Sequence, residues 1–181
     1  LAVAIARSRL NWSYSQAKRT LEGSWDCSSM VARCYQEAGF DLKGIMGSGW
    51  CMTTVGWKNF ATKNRQFIEE ADLQPGDVIW YGKSSGNHMM MYAGNGQVIH
   101  AKGAKYGTVF EPLVNTGYRS ARQVYFFRPY LNLLDESIDD SSDDALFTDS
   151  SGYGPDNGIV MQVPGGTVWT GWTVFESGRE R

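Results

Sequence analysis

The 181-residue chain contains only two histidines, three cysteines and five prolines, and each scarcity narrows its chemistry. Three cysteines cannot all pair within one chain, so a disulfide scaffold is not expected and a four-cysteine metal site is excluded. Cys27 and Cys34 fall in a segment with helical spacing, about 10 Å apart along its axis and beyond the reach of a disulfide. Cys51 is left as the only conceivable partner for either. No run approaches the roughly 18 apolar residues that a membrane span needs. The opening LAVAIARSRLNW has neither a basic leader nor a cleavage site, and reads as an amphipathic first helix rather than a signal peptide. No basic cluster interleaved with aromatics occurs, so a nucleic-acid partner is not expected.

What is present is globular: 42% hydrophobic and 13% aromatic residues, enough for a sizeable core. The net charge of −2 hides a division. Residues 1–134 hold 15 Lys and Arg against 9 Asp and Glu, and residues 135–181 hold 2 against 10. A mildly basic body suits a polyanionic surface such as a cell wall. The composition divides the chain into a domain over 1–134, an acidic Ser/Gly/Asp-rich linker over 135–158, and a short β segment over 159–181. That segment carries two strands around Pro164–Gly165–Gly166, either docked on the body or beginning a truncated second domain.

Within the body, residues 2–10 and 26–38 read as helices, 42–56 as a Gly-rich loop, and 57–64 as a short helix. VIWY, HMMMYA, QVIHA, GTVFEPL and RQVYFFRPY then read as consecutive short strands, the last closed at Pro129. Helices first and an antiparallel meander after is an α+β pattern.

Cys27 stands in the first turn of the second helix, where Asp26 is the expected N-cap and Gly39 the expected stop. A helix N-terminus lowers a thiol pKa through its unpaired N–H groups, while Asp26 opposes this by charge repulsion, so a neighbouring base is still required. The plain alternative is a small buried hydrophobe. Both histidines, His88 and His100, lie in one apparent hairpin. A two-residue turn at Asn95–Gly96 sets the rings on opposite faces. A three-residue turn at Gly94–Asn95–Gly96 pairs Met90 with His100 and makes His88 and His100 diagonal neighbours on one face. On that register Met90 shares their face and narrows the cleft. Zinc is a competing use of Cys27, His88 and His100, although no two of them have close metal-type spacing. Ser28 as nucleophile lacks the G-x-S-x-G elbow. Asp77 is expected to fix the turn into the next strand. Trp25, Trp50, Trp57 and Trp80 either line a cleft for a glycan or peptide or, the commoner use of aromatics, serve the core, and none is placed in the site.

DCSSMV at a helix start, LQPGDVIWY, and HMMMYAGNGQVIHA, in that order across residues 26–101, resemble the NlpC family of cell-wall cysteine peptidases, which share papain's architecture. YSQAKR followed by DCSS is similar to the branch found in phage peptidoglycan hydrolases. The resemblance implies N-terminal helices packed on a central antiparallel sheet, and a thiol endopeptidase without cofactor or metal. Cys27 is then the nucleophile, His88 the general base and acid, and His100 the third residue. Ser28 joins the Cys27 backbone in receiving the oxyanion, and Tyr14 hydrogen-bonds near the cysteine or substrate. The implied substrate is the stem peptide of bacterial peptidoglycan, cut between D-glutamate and the third residue, by a monomer acting outside the cell, in the wall, or from a phage virion or lysin. The alternatives are an N-acetylmuramoyl-L-alanine amidase of an endolysin and a non-catalytic wall-binding module. Ser29, where many relatives have glycine, and Met90, where many have a small residue, are departures from the family pattern.

Overall fold

An apolar stripe on one helix meets the alternating face of four strands, and the core forms between them. The computed structural model describes residues 1–83, 86–129, 161–163 and 167–169. The helix is α2 (Cys27–Glu37), whose Met30, Val31, Ala32 and Cys34 are fully buried. They join Val78, Met89, Met91, Ile99 and Ala101 from the sheet in one apolar cluster. Full burial of each large side chain there is worth about 1.5–3 kcal/mol. Gly39, at φ +102°, terminates α2 as expected, because a side chain is disfavoured in that conformation.

Two further helices cover the same side. α1 (Ala2–Arg7) contributes Ala2 and Ala6, and α4 (Thr54–Lys63) contributes Trp57 and Ala61. α4 begins three residues earlier than the sequence predicts because the Thr53 hydroxyl accepts from the Gly56 N–H. The Gly-rich segment expected to be a loop instead holds α3 (Leu42–Met46) and a 3-10 turn over Gly47–Gly49. Asp41 caps α3 through the Gly44 N–H, and buried Leu42 anchors it, so capping and burial outweigh the glycine content.

Two short strands, β1 (Ser13–Tyr14) and β2 (Ser24–Trp25), pair in parallel and set Tyr14 beside Trp25, immediately before α2. The main sheet contains β3 (Phe67–Ile68), β4 (Val78–Lys83), β5 (Gly86–Gly94), β6 (Gln97–Gly103), β7 (Gly107–Pro112) and β8 (Gln123–Phe127). Its order is β3-β8-β4-β5-β6-β7 and every neighbouring pair is antiparallel. Helices packed on an antiparallel sheet make the α+β class that the sequence predicts. Gly107 is required where β7 meets the β1 segment: it has φ +63°, and a Cβ there would stand 2.8 Å from the Trp12 carbonyl oxygen.

The turn into β4 is tied from three sides. Asp77 accepts from the Gln74 N–H and takes a two-pronged ion pair from Arg128, just beyond β8, with both N–O distances 2.9 Å. The buried Tyr35 hydroxyl of α2 donates to the Gly76 carbonyl at 2.7 Å. Asp77 is therefore the structural residue the sequence predicts, and it fixes the start of the strand that runs beside His88.

The chain divides into two units, Leu1–Asp139 and Asp140–Arg181. In the second, β9 (Met161–Val163) and β10 (Thr167–Trp169) pair antiparallel on either side of residues 164–166. The predicted linker over 135–158 lies outside the described residues. Among those described, no helix is long and apolar enough to cross a membrane, and all three cysteines are free.

Candidate active site

The head of α2 is fastened before any chemistry is asked of it. Asp26 Oδ1 accepts from the Ser29 N–H at 2.7 Å while the Ser29 hydroxyl accepts from the Asp26 N–H at 2.8 Å, a reciprocal capping box. This is a use for the serine that stands in glycine's place. Arg19 reaches in from the loop between β1 and β2. Its Nε lies 3.2 Å from Asp26 Oδ2, and its Nη2 donates to the Ser28 hydroxyl and the Met52 carbonyl. Ser28 Oγ in turn donates to Asp26 Oδ1. The Ser28 side chain is thus held by Arg19 and Asp26.

Cys27 is the first residue of α2 and is buried, with 6% of its surface exposed. Burial pushes its thiol up to about 11. Hydrogen bonding from the backbone N–H groups of Met89, Ser28 and Cys27 itself counters this in part, and Asp26 adds to the rise. The helix terminus alone predicts a lowered thiol pKa; desolvation overrides it. At neutral pH the resting sulfur is protonated, and attack requires a base.

The Met89 N–H belongs to the peptide that joins His88 to Met89, so the sulfur faces β5 at its histidine. The ladder between β5 and β6 pairs only Met91 with Ile99, Tyr92 with Val98, and Gly94 with Gln97. β4 stays paired with β5 as far as Gly86, and β7 with β6 as far as Gly103. β5 and β6 therefore part where the histidines lie.

The hairpin closes on the tight pair Asn95–Gly96, at φ 51° and 68°, the two-residue turn that by itself sets the rings on opposite faces. A bulge at Ala93 inserts one residue and restores the register of the three-residue alternative. His88 and His100 consequently share a face, with His88 Nε2 2.7 Å from His100 Nδ1. His100 is almost fully buried, and burial lowers its pKa against the opposing pull of Glu111. Its Nε2 lies 2.8 Å from Glu111 Oε1 on β7, and Glu111 is in turn paired with Lys102.

Tyr14 also faces this centre. Burial raises its pKa, and the negative charges of a Cys27 thiolate and of Asp26 add to the rise. Tyr81, opposite His88 on β4, is pushed up to about 12 by burial, then by Cys27 and Glu111. The Cys27 sulfur thus meets the Met89 N–H of β5 and bears on Tyr14, and His88 pairs with His100 one strand over; Glu111, Tyr81 and Arg19 join these groups, and sequence reasoning missed them. A lone carboxylate in the apolar strand GTVFEP was the available signal for Glu111. Met90 corrects an expectation: it is fully buried with Ile79, Tyr81, Val98, Leu113 and Tyr118, filling a second apolar cluster instead of narrowing a cleft. Trp25 and Trp57 are core residues, and Trp80 is buried too. Among the described residues no group of three or more His, Cys, Asp or Glu is arranged to hold a metal ion, and the facing nitrogens of the histidines are committed to each other.

The comparisons with known proteins agree with this fold. The family model for the NlpC/P60 family matches residues 11–128. Peptidoglycan endopeptidase RipB of Mycobacterium tuberculosis is 27% identical over 115 residues, covering 62% of this chain and 46% of RipB. Gamma-DL-glutamyl hydrolase of Bacillus subtilis is 36% identical over 88 residues, covering 48% of this chain and 18% of its own length. The chain thus spans less than half the length of these curated relatives. The crystal structure of the NlpC/p60 domain of peptidoglycan hydrolase SagA superimposes with a TM-score of 0.51 at 20% identity, over 70% of this chain and 95% of that domain, a likeness of fold. With well over half of its residues matched, the chain belongs to the NlpC/P60 family.

Proposed function

We propose that this chain is a peptidoglycan hydrolase, a thiol endopeptidase that cuts the stem peptide on the γ-carboxyl side of D-glutamate. One observation carries the reading: the Cys27 sulfur at the head of α2 faces the N–H of the His88–Met89 peptide, and the His88 ring is hydrogen-bonded at 2.7 Å to His100. In this reading an imidazole nitrogen of His88 takes the Cys27 proton as sulfur adds to the amide carbonyl. The new oxyanion is received by backbone N–H groups at the helix head. The His88 imidazolium then protonates the departing amine, the C–N bond breaks, and a thioester remains. Water, deprotonated by His88, attacks the thioester, and the released thiolate recovers its proton, leaving a free carboxylate and a regenerated thiol. His100 holds the His88 ring in position, and Tyr14 borders the reacting atoms.

The choice of substrate rests on the relatives: one is named a peptidoglycan endopeptidase, another a gamma-DL-glutamyl hydrolase. The basic balance of residues 1–134 suits a polyanionic wall, and we place the site of action there. Mass mapping of digested peptidoglycan tests the bond directly. The expected product carries a new amino terminus at the third stem residue, and Cys27→Ala releases none while the folded protein persists. Unchanged release by Cys27→Ala overturns the thiol mechanism. Products with a free amino terminus on L-alanine identify an amidase instead.

A further inference from the structure

The chain of polar contacts behind the reacting thiol ends in a carboxylate, and that end has a consequence for every proton in the chain. An ionised carboxylate can only accept hydrogen bonds. Glu111 is ion-paired with Lys102, whose Nζ lies 2.8 Å from both of its oxygens, and a partly exposed carboxylate is ionised near neutral pH even without such a partner. Burial raises the Glu111 pKa, but the bonds from Lys102 and His100 outweigh this and leave it below the ordinary carboxylate value. The neighbouring His100 is 1% exposed, and burial lowers its pKa, which favours the neutral ring. A neutral imidazole has one donor and one acceptor nitrogen.

We propose that Glu111 is a positioning residue that sets the tautomers of both histidines. It accepts the Nε2–H of His100, so His100 Nδ1 must accept the Nε2–H of His88, and Nδ1 of His88 becomes the unprotonated nitrogen that serves as base. The distances along the path are 2.8 Å from Glu111 to His100 and 2.7 Å from His100 to His88. The reverse arrangement sets the His100 Nε2 lone pair against a carboxylate oxygen at 2.8 Å, two acceptors with no proton between them. It also places a proton on His88 Nδ1, which then has no lone pair to offer a thiol. Register supplies the geometry. His100 is opposite Val109, so Glu111, two residues on, is its diagonal neighbour on the same face.

This inference depends on the hydrolase reading only for its effect on turnover, because the tautomers are measured without substrate. With just two histidines in the chain, long-range proton–nitrogen NMR of the ¹⁵N-labelled protein near neutral pH resolves both rings. Protonation at Nε2 alone is expected for each. In Glu111→Gln, whose amide can donate as well as accept, the Nδ1–H form is expected to appear at both rings. Its kcat is expected to fall by about ten-fold with KM changed by less than about two-fold, as for a general base partly in the wrong form. Lys102→Met removes the ion pair and keeps the carboxylate, so its tautomers are expected to remain those of the parent. A parent spectrum with His100 protonated at Nδ1 overturns the proposal. So does a folded Glu111→Gln protein with unchanged tautomers, or a Lys102→Met protein that changes as much as Glu111→Gln. If Cys27→Ala retains activity, the thiol mechanism fails, while the tautomer measurement stands or falls on its own spectrum.

Discussion

Replacing His88 with alanine asks how much of the reaction depends on a base beside the thiol. With Cys27 pushed up to about 11, an unassisted thiolate near pH 7 is about four pH units from its midpoint, a population of roughly 10⁻⁴ and a cost of about 5 kcal/mol. His88→Ala should therefore slow acylation near pH 7 by about 10³- to 10⁴-fold, the upper part of the range for a lost general base. The signature lies in the pH dependence. Without His88, hydroxide must generate the thiolate, so the residual rate should rise about ten-fold per pH unit until it levels near the thiol pKa. A γ-D-glutamyl ester with an activated leaving group isolates this step, because its departure needs no proton, and single-turnover release of the chromophore follows it. Circular dichroism at each pH limits the readings to folded protein. A rate in His88→Ala that is flat with pH, or that levels below about pH 9, refutes the argument that burial keeps this sulfur protonated.

Other outcomes follow from the packing. Arg128→Met leaves Asp77 buried and unpaired, at 3% side-chain exposure, and should cost about 2–4 kcal/mol in urea unfolding; a loss below about 0.5 kcal/mol contradicts the role given to the pair. Cys34 is fully buried and pushed up to about 12 by that burial. A thiol whose folded pKa lies above its unfolded value contributes stability in full below about pH 9 and loses it as pH rises towards 12. Between pH 8 and 11 the parent should therefore lose about 2.5 kcal/mol more than Cys34→Ala, whatever constant cavity cost the variant carries; parallel stability curves for the two proteins refute this.

The framework around the candidate site was legible because its signals are local. The cap at Asp26, the stop at Gly39 and the proline beyond β8 act within one turn of the chain, and each element ends where those residues require. The histidine register depended on a competition that sequence poses without resolving. Asn95–Gly96 favours the two-residue turn and the bulge at Ala93 corrects its phase, so both candidate turns were partly right. Glu111, Tyr81 and Arg19 were missed because their roles come from long-range pairing. Glu111 meets His100 only once β7 is laid beside β6, and Arg19 reaches Asp26 only once the loop after β1 folds over α2. Met90 was placed on the correct face, but the residues that bury it, Leu113 and Tyr118, arrive from beyond β7.

In the proposed reaction a covalent bond forms at one sulfur, that of Cys27. Acid quenching during turnover of the γ-D-glutamyl ester, followed by peptide mass mapping, tests it most directly. A hydroxylamine-labile acyl group is expected on the peptide containing Cys27, fragmenting to that residue. An acyl group on Ser28, or steady hydrolysis by the Cys27→Ala protein, contradicts it.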